Sequence, residues 1–144
     1  MKAILILAVS LLYVRGCTNN QSKNSQSSAM IEYEYYSRGG YRKIIVSNQL
    51  LVVYDKQGAE KPSAEKPLSN LVWQTLVKQV TALNLDAIST YKDPTQKRFY
   101  DGAPIAVFTI KNQGKEYKTN AFDHGDPPIE IKELVNKINE LAAQ

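Results

Sequence analysis

The residues best suited to chemistry form the tetrapeptide Asp123-His124-Gly125-Asp126, which contains the single histidine of the 144-residue sequence. Two carboxylates beside an imidazole can ligate a divalent metal ion, and an aspartate with a histidine is suited to general base catalysis. The same residues also suit a structural role, because Gly125 favours a turn and Asp126 before two prolines is typical of a helix start. Since the chain has one histidine and one cysteine in all, we favour a structural strand-to-helix turn. A metal-binding or catalytic site at Asp123, His124 and Asp126 is the alternative, and recognition by an exposed turn is a third interpretation.

A second group of candidate residues lies in the polar connection 89–103. Arg98, Tyr100 and Asp101 fall near its end, just before a predicted strand. Connections longer than about 12 residues are uncommon and often functional, so these residues are candidates for a contact surface. The alternative is a simple Asp-Gly turn with an aromatic side chain packed back on the core.

A third group surrounds the Arg38-Gly39-Gly40 turn, which Tyr36 and Tyr41 flank. We expect the glycine pair to supply the positive φ angles that turns often need. Exposed aromatic side chains with an arginine are typical of protein recognition, whereas tyrosines packed in strands are the alternative. The second and third groups together define our predicted interaction surface, which consists of Arg38, Tyr41, Arg98, Tyr100 and Asp101.

The composition excludes several classes of protein. A chain with 43% hydrophobic and 22% charged residues is typical of a globular protein, and its length fits one domain. A net charge of +4 is too small to indicate a nucleic-acid partner, and one cysteine cannot form an intramolecular disulfide. The sequence contains no glycine-rich phosphate loop, no GxSxG and no HExxH. We therefore predict no cofactor and no enzymatic activity.

The N-terminal segment is typical of a secretory signal. Lys2 precedes an apolar run, 3–12, that is too short to span a bilayer but fits the apolar region of a signal peptide. Val14-Arg15-Gly16-Cys17 resembles the lipobox of bacterial lipoproteins, in which signal peptidase II cleaves before a diacylated cysteine. Arg15 departs from the pattern, because small or uncharged residues are usual there. The resemblance implies lipidation of Cys17 and a membrane anchor formed by the acyl chains.

These features divide the chain into a signal peptide (1–16), a lipidated cysteine with a flexible tether (17–29) and a single α+β domain (30–144). Residues 18–28 are polar and contain no aliphatic or aromatic side chain that could join a core. The lipobox resemblance implies a place in the bacterial cell envelope, with the anchor in the outer membrane. Acidic clusters after the cysteine mark surface export in some Bacteroidota lipoproteins, and since none follows Cys17 we expect the protein to face the periplasm.

Hydrophobic periodicity predicts the element order β-β-β-α-β-β-α for the folded part. Alternating apolar residues predict strands beginning at Met30 and over 41–47, 50–55, 105–110 and 115–122, with a loop over 56–67. Helical spacing of apolar residues predicts helices over 70–84, capped by Ser69, and over 128–142, capped by Asp126. Short turns between consecutive strands imply antiparallel pairing. We predict a two-layer α+β fold in which two helices cover one face of a five-stranded antiparallel sheet.

The folded part is similar to small envelope lipoproteins of Bacteroidota. The shared features are an Ile-x-Tyr strand that leads into a Gly-Gly turn, an Asp-Gly-Ala before a late strand, and Phe-Asp-His-Gly-Asp-Pro-Pro before the last helix. The strand order and the Gly-Gly turn also resemble the emfourin-type protease inhibitors. Our hypothesis is a lipid-anchored, non-enzymatic protein-binding module whose partner is an envelope or secreted protein. The alternatives are a small envelope hydrolase or metal-binding protein that uses the Asp-His-Gly-Asp turn, and a structural lipoprotein without a discrete ligand.

Overall fold

The computed structural model describes residues 29–144, in which two helices pack on one face of an antiparallel sheet. The strands are β1 (Met30–Ser37), β2 (Gly40–Ser47), β3 (Leu50–Tyr54), β4 (Ala64–Pro67), β5 (Ile105–Asn112), β6 (Lys115–Lys118) and β7 (Phe122–Asp123). The sheet order is β4-β3-β2-β1-β5-β6, and β7 also pairs with β5. The α+β class and the antiparallel pairing are confirmed. The predicted count of five strands is wrong.

The two additional strands are short and carry little hydrophobic pattern. β4 lies inside the segment predicted as loop; its sequence Ala-Glu-Lys-Pro is largely exposed at the edge of the sheet, a position where proline is tolerated. The predicted strand 115–122 is divided, because the hydroxyl of Thr119 accepts a hydrogen bond from the main-chain N–H of Phe108 at 3.1 Å. β6 therefore ends at Lys118, and β7 begins only at Phe122.

β1 is the central strand, and its alternating residues separate the two faces of the sheet. Tyr33 lies opposite Ile44 on β2 and Phe108 on β5, and all three side chains are buried. Residues directly opposite each other on neighbouring strands point to the same face, so the apolar side chains of β1, β2, β3 and β5 form one continuous surface. Both helices pack against that surface to form the core.

The opposite face of the sheet carries charged and polar residues at its centre. Glu32 lies between two lysines, with its carboxylate 2.9 Å from Lys43 Nζ and 2.7 Å from Lys111 Nζ. Burial by these neighbours would raise the pKa of Glu32, but the contacts with Lys111 and Lys43 outweigh it and lower the pKa. The cluster thus keeps a central carboxylate charged on a face that neither helix covers.

The helices are α1 (Asn70–Thr81) and α2 (Lys132–Ala143). Ser69 caps α1 as predicted, since its hydroxyl accepts a hydrogen bond from the N–H of Val72 at 3.3 Å. Within residues 29–144, no helix has the length and apolarity needed to cross a membrane.

The first helix ends earlier than predicted, and the last helix begins later than predicted. α1 stops at Thr81 rather than residue 84, and Leu83 extends the apolar pattern only because it packs on the core from the following turn. The last helix begins at Lys132 rather than 128, after a 3₁₀ turn at Ile129–Ile131. Asp126 therefore caps no helix: it and Pro127 each precede a proline, which disfavours helical backbone, and Pro128 is extended with ψ 143°.

The glycine pair after Arg38 does not have the predicted positive φ angles. The glycines with positive φ in the described chain are Gly58, Gly114 and Gly125, so neither Gly39 nor Gly40 is required by its backbone conformation. The two residues between the predicted strands 41–47 and 50–55, Asn48 and Gln49, form the short turn that their spacing predicts. Its two residues have φ of 47° and 64°, as a two-residue turn of type I′ demands.

Candidate functional site

Asp123 is a buried carboxylate that holds the polar connection between α1 and β5 against the sheet. Its side chain is 0% exposed and accepts four hydrogen bonds from that connection. The donors are Thr95 Oγ1 at 2.5 Å, the main-chain N–H of Lys97 at 2.6 Å, and the main-chain N–H and Nη1 of Arg98, both at 3.0 Å. A strand residue thereby fixes the conformation of a segment about 25 residues earlier in the chain.

The pKa of Asp123 follows from this set of donors. Burial by itself would raise the pKa of the carboxyl, but the hydrogen bonds from Thr95, Arg98 and Lys97 outweigh burial and lower the pKa to about 2. The carboxylate is therefore charged at neutral pH. A metal ion could reach its oxygens only by displacing the donors that hold the connection in place.

Arg98 is fixed between two carboxylates. Its Nη1 lies 3.0 Å from Asp123 Oδ1 and its Nη2 lies 2.7 Å from Asp93 Oδ2, so its charge is balanced within the protein. The guanidinium also lies 4.4 Å from the ring centre of Phe99, a cation–π contact. Phe99 is thus held in place although its side chain is mostly exposed.

The side chain of His124 packs against the sheet. Its Nδ1 and the hydroxyl oxygen of Tyr33 are hydrogen-bonded at 2.7 Å, and its ring stacks on Tyr35 with 3.7 Å between ring centres. Burial raises the pKa of Tyr33, which keeps its hydroxyl protonated, and burial lowers the pKa of His124. The main-chain N–H of His124 donates to the carbonyl of Pro104 at 2.9 Å, which ties the turn to the start of β5.

Asp126 also contacts the polar connection, since its Oδ2 accepts a hydrogen bond from Lys97 Nζ at 2.7 Å. Asp123 and Asp126 therefore both contact the polar connection through Lys97, whereas the His124 side chain contacts β1. Within residues 29–144, no group of three or more His, Cys, Asp or Glu side chains is placed to hold a metal ion. This geometry favours the structural interpretation of the turn.

A cleft of about 770 Å³ lies beside the polar connection that Asp123 holds. It is located between the β1–β2 turn and the residues just before β5. Its lining comes from Tyr36, Ser37, Arg38 and Gly39 on one side and from Arg98 and Asp101–Ile105 on the other. Tyr36 and Ile105 are paired across β1 and β5. The cleft therefore sits at the end of the two central strands of the sheet.

Exposed aromatic and charged side chains surround the cleft. Phe99 and Tyr100 are 71% and 73% exposed, and the ring of Tyr100 lies over Gly102, where an added Cβ would come within 2.9 Å of Tyr100 Cε2. Arg38 Nη2 and Asp101 Oδ2 are 3.2 Å apart, with side chains 90% and 70% exposed. We call Tyr36, Arg38, Phe99, Tyr100 and Asp101 the rim surface.

The structure brings most of the predicted interaction surface together. Arg38, Arg98 and Asp101 line the cleft, and Tyr100 lies beside it. Tyr41 is the exception, because it lies on β2 opposite Tyr36, on the same face of the sheet, and does not line the cleft. There, burial and the nearby Glu34 raise the pKa of Tyr41 to about 12.

Among the residues that sequence reasoning did not assign to this surface are Pro104 and Ile105 in the cleft and Phe99 at the rim. Each looked like a strand or core residue. A usable signal for Phe99 was its position next to two cationic residues in a polar connection, where an apolar side chain has little core to join.

The predicted lipidation site Cys17, the signal peptide and residues 17–28 of the tether lie outside the described residues. Ala29, predicted as the last tether residue, is buried. No protein-family model matches the chain, and no similar protein was found among either the curated sequences or the solved structures.

Proposed function

We propose that the protein is a lipid-anchored, non-enzymatic envelope protein that binds another protein through its rim surface. The observation that carries the proposal is the clustering of exposed Tyr36, Arg38, Phe99 and Tyr100 around one cleft. Tyrosine and arginine are enriched among the residues that dominate binding energy at protein interfaces. Large exposed aromatic side chains gathered at one place are otherwise unfavourable on a water-soluble surface.

The way the rim surface is supported also favours recognition. Arg98 is held by two carboxylates, and its guanidinium stacks on the ring of Phe99. Asp123 fixes the backbone of Lys97 and Arg98 through hydrogen bonds. A surface that is already ordered loses less conformational entropy when a partner binds. The exposed aromatic side chains are therefore presented on a rigid support.

The position of the rim surface is consistent with an anchor at the N-terminal side. The first described residue lies beside the start of β1, whereas the cleft lies at the other end of that strand. Because β1 has eight residues, its two ends are about 25 Å apart. An acylated Cys17 twelve residues before Ala29 would thus leave the rim surface accessible to a soluble or envelope partner.

The test is affinity capture of the full-length protein from detergent-solubilised envelopes of the bacterium that encodes it. A variant combining Phe99→Ala and Tyr100→Ala should recover the partner at least about tenfold less than the unmodified protein, because two central contacts are lost. The matched control combines Leu71→Ala and Ile129→Ala, which remove equally exposed apolar side chains on the helical layer and should change nothing. Equal recovery by both variants, or no partner under conditions that preserve a known envelope complex, would overturn the binding function.

The same preparations test the anchor. Mass spectrometry of the membrane fraction should find an acylated N-terminal Cys17, and Cys17→Ala should move the folded part out of that fraction. Detection of an intact Met1–Gly16 segment on the protein in the membrane would contradict lipoprotein processing.

A further inference from the structure

The cleft combines an apolar floor with one exchangeable cation. Tyr36, Pro104 and Ile105 supply apolar surface, and Arg38 extends from the β1–β2 turn at the rim. A volume of about 770 Å³ is within the range that small ligands and short peptide segments occupy. One aliphatic side chain with its flanking backbone fits such a space, whereas a small inorganic anion would leave the floor uncovered.

The cations near the cleft differ in how firmly they are paired. Arg98 is neutralised by Asp93 and Asp123, in contacts of 2.7 and 3.0 Å that are largely shielded from solvent. Arg38, by contrast, has Asp101 as its ion-pair partner within residues 29–144, and both side chains are mostly exposed. Ion pairs this exposed contribute little to stability, so a carboxylate from another molecule can replace Asp101 at small cost.

Gly39 supplies an independent indication that the rim is kept open. Its φ is not positive, and an added Cβ there would meet nothing within 4 Å. Gly102 on the other wall differs, because a Cβ there would come within 3.1 Å of the Lys97 carbonyl oxygen. A close contact with the Lys97 carbonyl thus accounts for a glycine at position 102, whereas no contact accounts for a glycine at position 39. The absence of a side chain at Gly39 leaves the cleft wider.

We infer that the cleft binds an extended segment of a partner protein in which an acidic residue is adjacent to an aliphatic one. The acidic side chain pairs with Arg38 in place of Asp101, and the aliphatic side chain covers Tyr36 and Ile105. Arginine rather than aspartate is the charged residue enriched at interface centres, which favours an acidic over a basic partner segment. The inference rests on the proposed function and assigns it a partner chemistry.

The test is an amide chemical-shift titration of the isotope-labelled full chain in neutral detergent micelles. The probe is the peptide acetyl-Gly-Glu-Leu-Gly-amide, and its matched controls carry Gln or Lys in place of Glu. The acidic probe should bind in the millimolar range and shift the amides of Gly39, Gly102 and Ile105. Arg38→Gln should weaken it about tenfold, as expected for loss of one charge-assisted hydrogen bond. Gly39→Val should obstruct binding without unfolding the protein.

Arg42→Gln is the matched control variant. It removes the same charge from the next strand, where Arg42 pairs with Asp55 at 2.5 Å outside the cleft, and it should leave binding unchanged. Equal shifts from the Glu and Gln probes, stronger binding of the Lys probe, or no localised shifts would each overturn the inference.

Failure of the inference is distinguishable from failure of the proposed function. Affinity capture could recover a partner whose recovery depends on Phe99 and Tyr100 but not on Arg38 or Gly39. That result would support the binding function and contradict the inferred acidic segment. If the acidic peptide binds as expected but no partner is captured, the cleft chemistry stands and the binding function falls.

Discussion

The Asp-His-Gly-Asp turn is tied to the backbone of distant segments through one side chain and one main-chain group. Asp123 accepts main-chain hydrogen bonds from Lys97 and Arg98, and the main chain of His124 donates to Pro104. All three partners adjoin or line the cleft. A motif that by composition suits metal binding or catalysis therefore shapes the rim surface through hydrogen bonds.

Asp123→Asn tests the weight of that buried carboxylate. The amide matches the carboxylate in shape but presents donors to Arg98 and the loop N–H groups, so we expect the free energy of unfolding to fall by about 3 kcal/mol. Urea denaturation of the full chain measures it. Asp101→Asn, at an exposed carboxylate, is the control and should change stability by less than about 0.5 kcal/mol. A similar small change in Asp123→Asn would show that the connection is held by other contacts.

His124 should make stability depend on pH near neutrality. Burial lowers its pKa in the folded protein below the ordinary 6.5, so the unfolded chain takes up a proton more readily as the pH falls. The contribution of His124 to the free energy of unfolding should therefore be fully present above pH 6.5. It should be lost as the pH falls below that value. Because His124 is the only histidine in the sequence, urea midpoints at several pH values can assign the effect. His124→Gln should remove this part of the pH dependence, and an unchanged profile would contradict the assignment.

At the scale of elements, the turns at the cleft end of the sheet differ in what their glycines do. The 3₁₀ turn Lys97–Tyr100 closes when the N–H of Gly102 donates to the carbonyl of Lys97 at 2.8 Å, so a Cβ at position 102 would lie only 3.1 Å from that carbonyl oxygen. The β1–β2 turn has no such close approach at Gly39. Identical residue types thus serve tight packing in one turn and an open rim in the other.

A pair of alanine substitutions separates these two cases. Gly102→Ala should lower the free energy of unfolding by about 1–3 kcal/mol, because its Cβ would crowd the Lys97 carbonyl and the Tyr100 ring. Gly39→Ala should be close to neutral, since the position is open and its φ is not positive. Thermal and urea unfolding of the two variants side by side measure the difference. Equal destabilisation would mean that Gly39 has a structural requirement after all.

At the scale of the whole molecule, β1 joins the place where the described chain begins to the place where recognition is proposed. Ala29 is buried beside the first residue of β1, and the cleft lies beyond Tyr36 near its last. Because β1 is hydrogen-bonded to β2 and β5 along nearly its full length, the two ends are rigidly related. Ala29 and the rim surface therefore lie at opposite ends of β1.

The sequence by itself determined the elements that bury apolar side chains periodically. Alternation along β1 and the stripe of Leu76, Val80 and their neighbours on α1 are local patterns, and Ser69 caps a helix through a residue three positions away. Only the tertiary structure decided β4, β7 and the cleft, because their contacts join residues distant in sequence and leave no periodic signal. It was also tertiary contact that assigned Asp123 to Thr95 and Arg98, and Asp126 to Lys97, since a carboxylate's partner is set by which donors the sheet brings near it.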